Sequence, residues 1–439
     1  MKKVKNRALS ILILVAAVIL GLAVYVFRFA TDGREWVSAP FNATVFDRGI
    51  LTVGTITDRN GVILADIEDG GRIFAEDSAI RRAMLHAVGD LHGNIGTGAL
   101  TVFAPELMGY NVITGAYSRT GAGRTISLTL DSRINVAALN ALGNRNGAVM
   151  VMNYRTGEVL AMVSSPTFDP NSPPVITEDD DALDGVFINR AVSAAYTPGS
   201  TFKILTAAAA IERIPDVFER EFNCTGSFTA PDGGVVNCVR AHGRLNLADA
   251  FAVSCNGVFG QLAIELGADT LAEYVARYGL IDRAAVGRIT TAAGNFDRAA
   301  ANTADLAWSG IGQYTNLVCP AAMLRFVGAI ANDGVAVDMS LLQRGSSAGT
   351  SRIMNAETAA RLSELMDHHT EANFPGLMMR AKSGTAEVGG DLRPHAWFAG
   401  YIANEGFPYA FVVVIENGGG GLSQAGPVAN SVLQAAIRG

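Results

Sequence analysis

YTPGSTFKILTAAAA, residues 196–210, holds Lys203, one of only five lysines in a chain of 439 residues with 34 basic side chains. Lys2, Lys3 and Lys5 stand at the start, and the fifth is Lys382. Arginine keeps its proton in any protein environment, whereas a desolvated lysine can lose it and act as a base. A chain that uses arginine almost everywhere and lysine at two interior positions directs attention to those two. Pro198 suits a first helical turn and puts Ser200 near the helix N-terminus, where backbone N–H groups favour negative charge developing on oxygen. Lys203 follows one turn later on the same face. Ile204, Leu205, Ala207 to Ala210 and Ile211 are apolar, so the helix from about Ser200 to Arg213 is expected to be buried, with its lysine pushed toward the neutral form. A hydroxyl beside such a base is an activated nucleophile. SxxK alone fits equally a buried helix whose lysine reaches out to solvent.

Two further elements change the balance. Lys382 opens KSGT (382–385) in a segment that reads as a strand. Lys382, Ser383 and Thr385 supply a charge and two hydroxyls suited to a carboxylate. Gly384 leaves room for another backbone, as when a peptide adds to a strand edge. The second element is SCN (254–256), in which Ser254 can relay a proton and Asn256 can hold a substrate amide. A polar spot where one helix ends and another starts would look the same.

Composition bounds the rest. Hydrophobic residues make up 49% and charged residues 17%, with a net charge of -7 and no basic run beyond the first seven residues. This is a folded chain, and nucleic-acid binding is not expected. Residues 8–27, ALSILILVAAVILGLAVYVF, carry no charge; at about 1.5 Å each they span about 30 Å, the depth of a bilayer core. Lys2, Lys3, Lys5 and Arg7 precede them, so residues 1–7 are expected to stay cytoplasmic while the remainder crosses. A cleaved signal peptide is the rival, disfavoured by the long apolar run and the lack of a clear small-x-small site. In an oxidising compartment Cys224 and Cys238, enclosing thirteen residues with the turn-like APDGG, are expected to form a disulfide, with two free thiols as the alternative. Cys255 and Cys319 read as buried free thiols. Without a CxxC pair no metal site is expected.

Along the chain, residues 28–146 read as a small strand-containing, membrane-proximal module. Its GNIGTG reads as a glycine-rich loop, without the strand-then-helix setting of a nucleotide fingerprint. From 147 onward, GAVMVMNYRTGEVLAMVSS reads as a hairpin turning at Gly157. Helices are expected around 246–266, 270–279, 319–334 and 425–438, and three strands in MRAKSGTAEV, HAWFAGYIA and YAFVVVIENGG. Strands at both ends with helices between imply one sheet completed by distant parts of the chain. The acidic run Glu178 to Asp181 reads as a solvated loop, and glycines 418–421 as a mobile turn bordering the site. His368 and His369 read as a solvent-facing helix end, His242 and His395 as structural or peripheral. With Lys203 in the base position, no Ser-His-Asp triad is expected.

STFK, SCN 54 residues after Ser200 and KSGT 182 residues after it resemble the three motifs of the serine acyltransferases that bind penicillin. YTPGSTFK, GIGQYTNLVCPAAMLRFVGAIANDG and HAWFAGY extend the likeness from Asn146 onward. TITDRNGVILAD resembles the DRNG segment of class B penicillin-binding proteins, departing from it with Val53-Gly54 where Arg-Gly is usual. The resemblance implies a mixed α/β fold with a central antiparallel sheet, flanking helices and a helical subdomain (147–439). A pedestal-like or dimerisation module (28–146) and one transmembrane helix (8–27) would precede it. It implies a D,D-transpeptidase that cross-links peptidoglycan stem peptides ending in D-Ala-D-Ala and is acylated by β-lactams. Ser200 would attack, Lys203 take its proton, and the backbone N–H groups of Ser200 and Thr385 form the oxyanion hole. Ser254, with Lys203 and Lys382, would pass the proton to the leaving D-Ala. Lys382, Ser383, Gly384 and Thr385 would receive the substrate carboxylate and strand, and Asn256 the peptide. No metal or organic cofactor is implied; a membrane glycan polymerase is the implied partner, met by residues 8–146.

Ser383 stands where threonine is usual, which preserves the hydroxyl. No glycosyltransferase domain precedes the motifs, so a monofunctional enzyme is expected. No ExxLN-like segment supplies a deacylating glutamate, so fast β-lactam hydrolysis is not expected. A D,D-carboxypeptidase or slow β-lactamase of the same fold is the nearest alternative, with water replacing the acceptor amine. A non-catalytic β-lactam-binding sensor or scaffold is the alternative from another class; a sensor calls for more membrane helices and a cytoplasmic domain.

Overall fold

GAVMVMN and VLAMVSS are apolar on both alternating faces, which suits strands covered on both sides. In the computed structural model, which describes residues 2–37, 45–47, 50–110, 123–175, 183–343, 348–374 and 378–438, they form the hairpin Gly147–Asn153 and Val159–Ser165. The acidic run Glu178 to Asp181 lies outside the described residues. The hairpin completes a five-stranded antiparallel sheet with Met379–Ala386, His395–Ile402 and Tyr409–Ile415, Tyr409–Ile415 pairing with Gly147–Asn153. Chain ends more than two hundred residues apart thus share one ladder.

Side chains alternate across this sheet with the period of two that a pleated strand imposes. Val149, Val151, Val163, Phe398, Phe411 and Val413 face one layer, made by the helices Ser132–Leu142 and Gly426–Ile437. Met150, Met152, Trp397, Tyr401, Val412 and Val414 face the other, which includes the helices Lys203–Arg213 and Pro320–Ala331. The helix Ser132–Leu142 precedes residue 147, so the layered structure begins ahead of the hairpin. The expected helix from 246 to 266 is interrupted: Leu247–Ala252 ends, and Asn256–Arg277 begins after a sharp turn at Val253, Ser254 and Cys255.

Lys2–Val37 is one continuous helix, and its stretch from residue 4 to 33 is long and apolar enough to cross a membrane. Beyond it, Gly71–Phe74, Ile63–Glu68, Thr55–Thr57 and Thr125–Ser127 form a four-stranded sheet in that order. GNIGTG is a loop gathered by Asp90, whose carboxylate accepts from the Ile95 backbone and the Asn94 amide. At the Val53-Gly54 departure, the half-buried Arg72 guanidinium donates to the carbonyls of Leu51, Val53 and Gly54. Burial pushes its pKa down to about 10.

The DRNG turn ties this module to the main sheet. Asp58 is fully buried. Its carboxylate accepts from the backbone of Asn60 and Val62 at 2.8 and 2.9 Å, and from the Ser132 N–H and hydroxyl at 3.1 and 2.8 Å. Asn60 donates to Asp131, the cap of helix Ser132–Leu142. Replacing this carboxylate leaves several buried donors unpaired. Asp58→Ala is expected to destabilise the full chain by roughly 2–4 kcal/mol, read as a lowered unfolding midpoint.

Candidate active site

Ser200 lies in the 3₁₀ turn Gly199–Phe202, and the α-helix proper begins at Lys203. The turn is tighter than the continuous helix expected from sequence because Gly199 adopts φ +54 and presses on the KSGT strand. A Cβ at Gly199 would lie 2.7 Å from the Thr385 carbonyl oxygen, and a Cβ at Gly384 2.7 Å from that of Pro198. The face of the strand at Gly384 is thus packed against the chain's own Ser200 turn, while the strand itself remains at the edge of the sheet. Gly312, at φ +81, packs against the Gly199 carbonyl from the other side, and its own carbonyl accepts from the Gly199 N–H at 2.9 Å. Trp397 of HAWFAGY donates to the Thr197 carbonyl at 2.9 Å. The segments that accompany the motifs in sequence thus brace the turn that carries Ser200.

Lys203 and Lys382 are both fully buried, and both reach Ser254. Lys203 Nζ donates to the Ser254 carbonyl at 2.6 Å, Asn256 Oδ1 at 2.7 Å and Ser254 Oγ at 3.2 Å. Lys382 Nζ lies 3.0 Å from Ser254 Oγ and 3.0 Å from the Ser383 carbonyl. Burial pushes Lys203 down to about 7; burial and then the Lys203 charge hold Lys382 well below the ordinary lysine range. The rings of Phe259 and Phe251, 5.6 and 5.7 Å from the respective Nζ atoms, favour the cationic forms. Ser254 holds its bridging position at φ +55, a conformation unfavourable for a residue with a Cβ and characteristic of sites where function over-determines the backbone. A hydroxyl within hydrogen-bond distance of two lysines, both depressed by burial, is chemically able to pass a proton between them.

The third motif divides its roles. Lys382 is turned inward and Ser383 is buried, while Thr385 is exposed and its hydroxyl accepts from Gly421 N–H at 3.2 Å. Of the group expected to receive a carboxylate, Thr385 is therefore the member open to solvent, and the glycine turn borders it as expected. His369 corrects the expectation of a solvent-facing pair: His368 is exposed, but His369 is buried. Its Nδ1–H donates to the Ala252 carbonyl at 2.7 Å, leaving Nε2 to accept from the Ser383 N–H and hydroxyl, both at 3.2 Å. His369 thereby links the backbone before Ser254 to the strand of Lys382. Burial and then Lys382 keep it well below the usual histidine pKa, hence neutral. Nothing in the sequence marks it, because the link joins residues more than a hundred positions apart.

Cys224 and Cys238 are free thiols with sulfurs 3.6 Å apart, and Cys255, between Ser254 and Asn256, lies 3.7 Å from Cys238. The expected disulfide is not formed; a third thiol competes for the same space. Cys319 is buried against the Ala191 and Val192 carbonyls. A cleft of about 640 Å³, lined by residues including Phe103, Glu158 and Asp338, contains no residue of the three motifs. The close approach at Gly384 gives a direct test: Gly384→Ala drives a Cβ into the Pro198 carbonyl, and an expected loss of about 1–3 kcal/mol would appear as a lowered melting midpoint.

Residues 147–434 match the penicillin-binding protein transpeptidase domain. The chain is similar to the peptidoglycan D,D-transpeptidase PbpA of Mycobacterium tuberculosis, at 30% identity over 377 residues, covering 73% of this chain and 74% of that one. It is similar to the peptidoglycan D,D-transpeptidase MrdA of Escherichia coli K12 at 25% identity, covering 71% and 57%. The crystal structure of PBPA from M. tuberculosis superposes with a TM-score of 0.78 at 26% identity, over 88% of this chain and 99% of that one. The ceftriaxone acyl-enzyme complex of the same protein does so at 0.77 and 25%, over 88% and 98%. A serine turn, a serine hydroxyl between two lysines and a sheet completed by distant strands are thus found in a chain that belongs to the class B penicillin-binding proteins.

Proposed function

We propose that this chain is a membrane-anchored serine D,D-transpeptidase that cross-links peptidoglycan stem peptides through an acyl-enzyme on Ser200 and is covalently inhibited by β-lactams. The observation that carries the reading is the pair of buried lysines, Lys203 and Lys382, converging on the Ser254 hydroxyl. Ser200 Oγ attacks the carbonyl of the penultimate D-Ala while Lys203, neutral near its pKa of about 7, takes the proton. The backbone N–H groups of Ser200 and Thr385 receive the oxyanion. The proton passes through Ser254, with Lys382 supplying the second lysine, to the departing D-Ala amine. Thr385 receives the substrate carboxylate, whose negative charge favours the protonated form of Lys382 nearby. Asn256 holds the peptide. An amine from a neighbouring stem then attacks the acyl-enzyme, and the same relay runs in reverse. The apolar N-terminal helix supports an anchor with residues 1–7 cytoplasmic and the catalytic domain outside. Residues 8–146 are the surface offered to a membrane glycan polymerase.

The test is labelling of the full chain in detergent by a fluorescent penicillin, followed by intact mass. Wild type is expected to form a long-lived adduct and Ser200→Ala none; no adduct on folded wild type would sink the reading. The acylation rate should rise with pH through about 7, because Lys203 acts as a base only when neutral. Lys203→Arg, which cannot deprotonate, should lose roughly 10²–10⁴-fold and show no such rise. His369 positions Ser383 without touching the reacting atoms. His369→Ala is therefore expected to weaken penicillin binding roughly tenfold, about 1.4 kcal/mol, while the midpoint of the pH profile stays with Lys203.

A further inference from the structure

Met379–Ala386, the strand of KSGT, stands at the edge of the five-stranded sheet with His395–Ile402 as its neighbour. Along an antiparallel strand the N–H and C=O of one residue point to the neighbour, and those of the next point away. The Met378 carbonyl accepts from the Ala403 N–H at 3.0 Å. Even-numbered residues therefore face inward, and Ala381, Ser383, Thr385 and Glu387 face the open edge. Side chains occupy three of these four. The Ala381 N–H donates to the Thr370 hydroxyl at 2.9 Å. The Ser383 N–H donates to His369 Nε2 at 3.2 Å, and the Ser383 carbonyl accepts from Lys382 Nζ at 3.0 Å. At Glu387 the Gln313 side chain takes the place of a neighbouring strand. Its amide, in the orientation that satisfies both groups, accepts from the Glu387 N–H at 3.1 Å and donates to the Glu387 carbonyl at 3.2 Å. Among the described residues no side chain takes up the Thr385 N–H or carbonyl, and only its hydroxyl is engaged, by the Gly421 N–H.

We propose that Gln313 is a strand stop, a specificity-determining residue that limits the pairing of a donor peptide with this edge to Thr385 alone. A donor whose penultimate D-Ala places its C=O at the Thr385 N–H also brings its own N–H to the Thr385 carbonyl, because both groups of one residue point the same way. The next rung of that ladder would join Glu387 to the donor residue two positions before this D-Ala. Gln313 already fills that rung. On the other side of Thr385, His369 and Lys382 fill the rung at Ser383. The edge therefore reads the end of a stem peptide and makes no backbone contact further upstream. Gln313 is itself fixed to the nucleophile turn. Its backbone N–H donates to the Trp308 carbonyl at 3.0 Å, and the preceding Gly312 carbonyl accepts from Gly199, the neighbour of Ser200. One short segment thus sets both where the nucleophile stands and where the substrate strand must leave the sheet.

The stop rests on the donor binding proposed above, and the test separates the two. The probes are thioglycolate thioesters of acetyl-D-Ala and of acetyl-L-Ala-L-Ala-D-Ala, given to the full chain in detergent. Ser200 Oγ bonds to the D-Ala carbonyl carbon, the C–S bond breaks, and the hydroxyl proton leaves with the thiol; intact mass follows the acyl-enzyme. Penicillin labelling counts the active sites of each preparation. In wild type, N-methylation of the D-Ala amide should slow acylation about tenfold, whereas N-methylation of the first L-Ala amide should change it less than about twofold. In Gln313→Ala, which frees the Glu387 rung, the longer donor should gain about fivefold over the short one relative to wild type, and methylation of the first L-Ala should remove that gain. Wild type slowed by methylation of the first L-Ala would overturn the stop, and this arm decides the matter even where the variant fails to fold. A penicillin-labelled Gln313→Ala with no gain for the longer donor would overturn the role of Gln313. Indifference to methylation of the D-Ala amide would sink the docking at Thr385 on which the stop depends, while absence of any penicillin adduct on folded wild type would sink the enzymatic reading instead.

Discussion

Two buried lysines sharing one half-buried hydroxyl is the constraint around which the catalytic half of this protein is arranged. Neither lysine can be fully charged at ease beside the other in the absence of solvent, and neither is far from a partner that would accept or return a proton. The arrangement requires three segments, the turn before Lys203, the break at Ser254 and the strand of Lys382, to meet within hydrogen-bond distance. Strain is stored at the break, where Ser254 sits at positive φ despite its Cβ, and the other two segments meet at glycines, Gly199 and Gly384, that leave no room for a methyl group. Strain concentrated at one place and absorbed by a surrounding sheet and helices is the pattern expected of a site selected for chemistry and not for stability.

The sheet makes this strain tolerable. Because its strands come from both ends of the domain, the KSGT strand is an edge strand backed by HAWFAGYI, YAFVVVI and then the GAVMVMN hairpin, all covered on both faces. The position of Lys382 is therefore set by a ladder that extends to Val159–Ser165, while Lys203 is set by a helix packed within the other layer. His369 adds a direct link between the two sides, accepting from Ser383 and donating to the Ala252 carbonyl. Only a neutral imidazole can make both bonds, since a charged one could not accept and would stand beside Lys382.

The membrane-proximal module is joined to this framework through Asp58, whose carboxylate satisfies donors from its own turn and from the start of the helix Ser132–Leu142. DRNG is thus a joint and not a reactive motif. Cys255, whose sulfur lies 3.7 Å from that of Cys238, shares its backbone with Ser254 and Asn256.

The sequence by itself singled out the candidate residues: two interior lysines in an arginine-rich chain, each beside hydroxyls, pointed to Ser200 and KSGT, the resemblance of SCN added Ser254, and apolar runs pointed to the strands. It also determined the apolar N-terminal helix, since length and absence of charge are local properties. What only the tertiary structure decided were the relations between distant positions. The burial of His369 depends on a helix packing against the Ala252 carbonyl; its own neighbours along the chain are polar, so local pattern placed it in solvent. Gly384 carries no mark in one dimension of the close packing that the Pro198 carbonyl makes with its face in three. Cys224 and Cys238 form a plausible pair along the chain, yet folding brings Cys255 and His242 to the same point. Periodicity and composition report what a residue does to its own element, whereas a site is made where elements cross, and crossing distances are set by the packing of the whole.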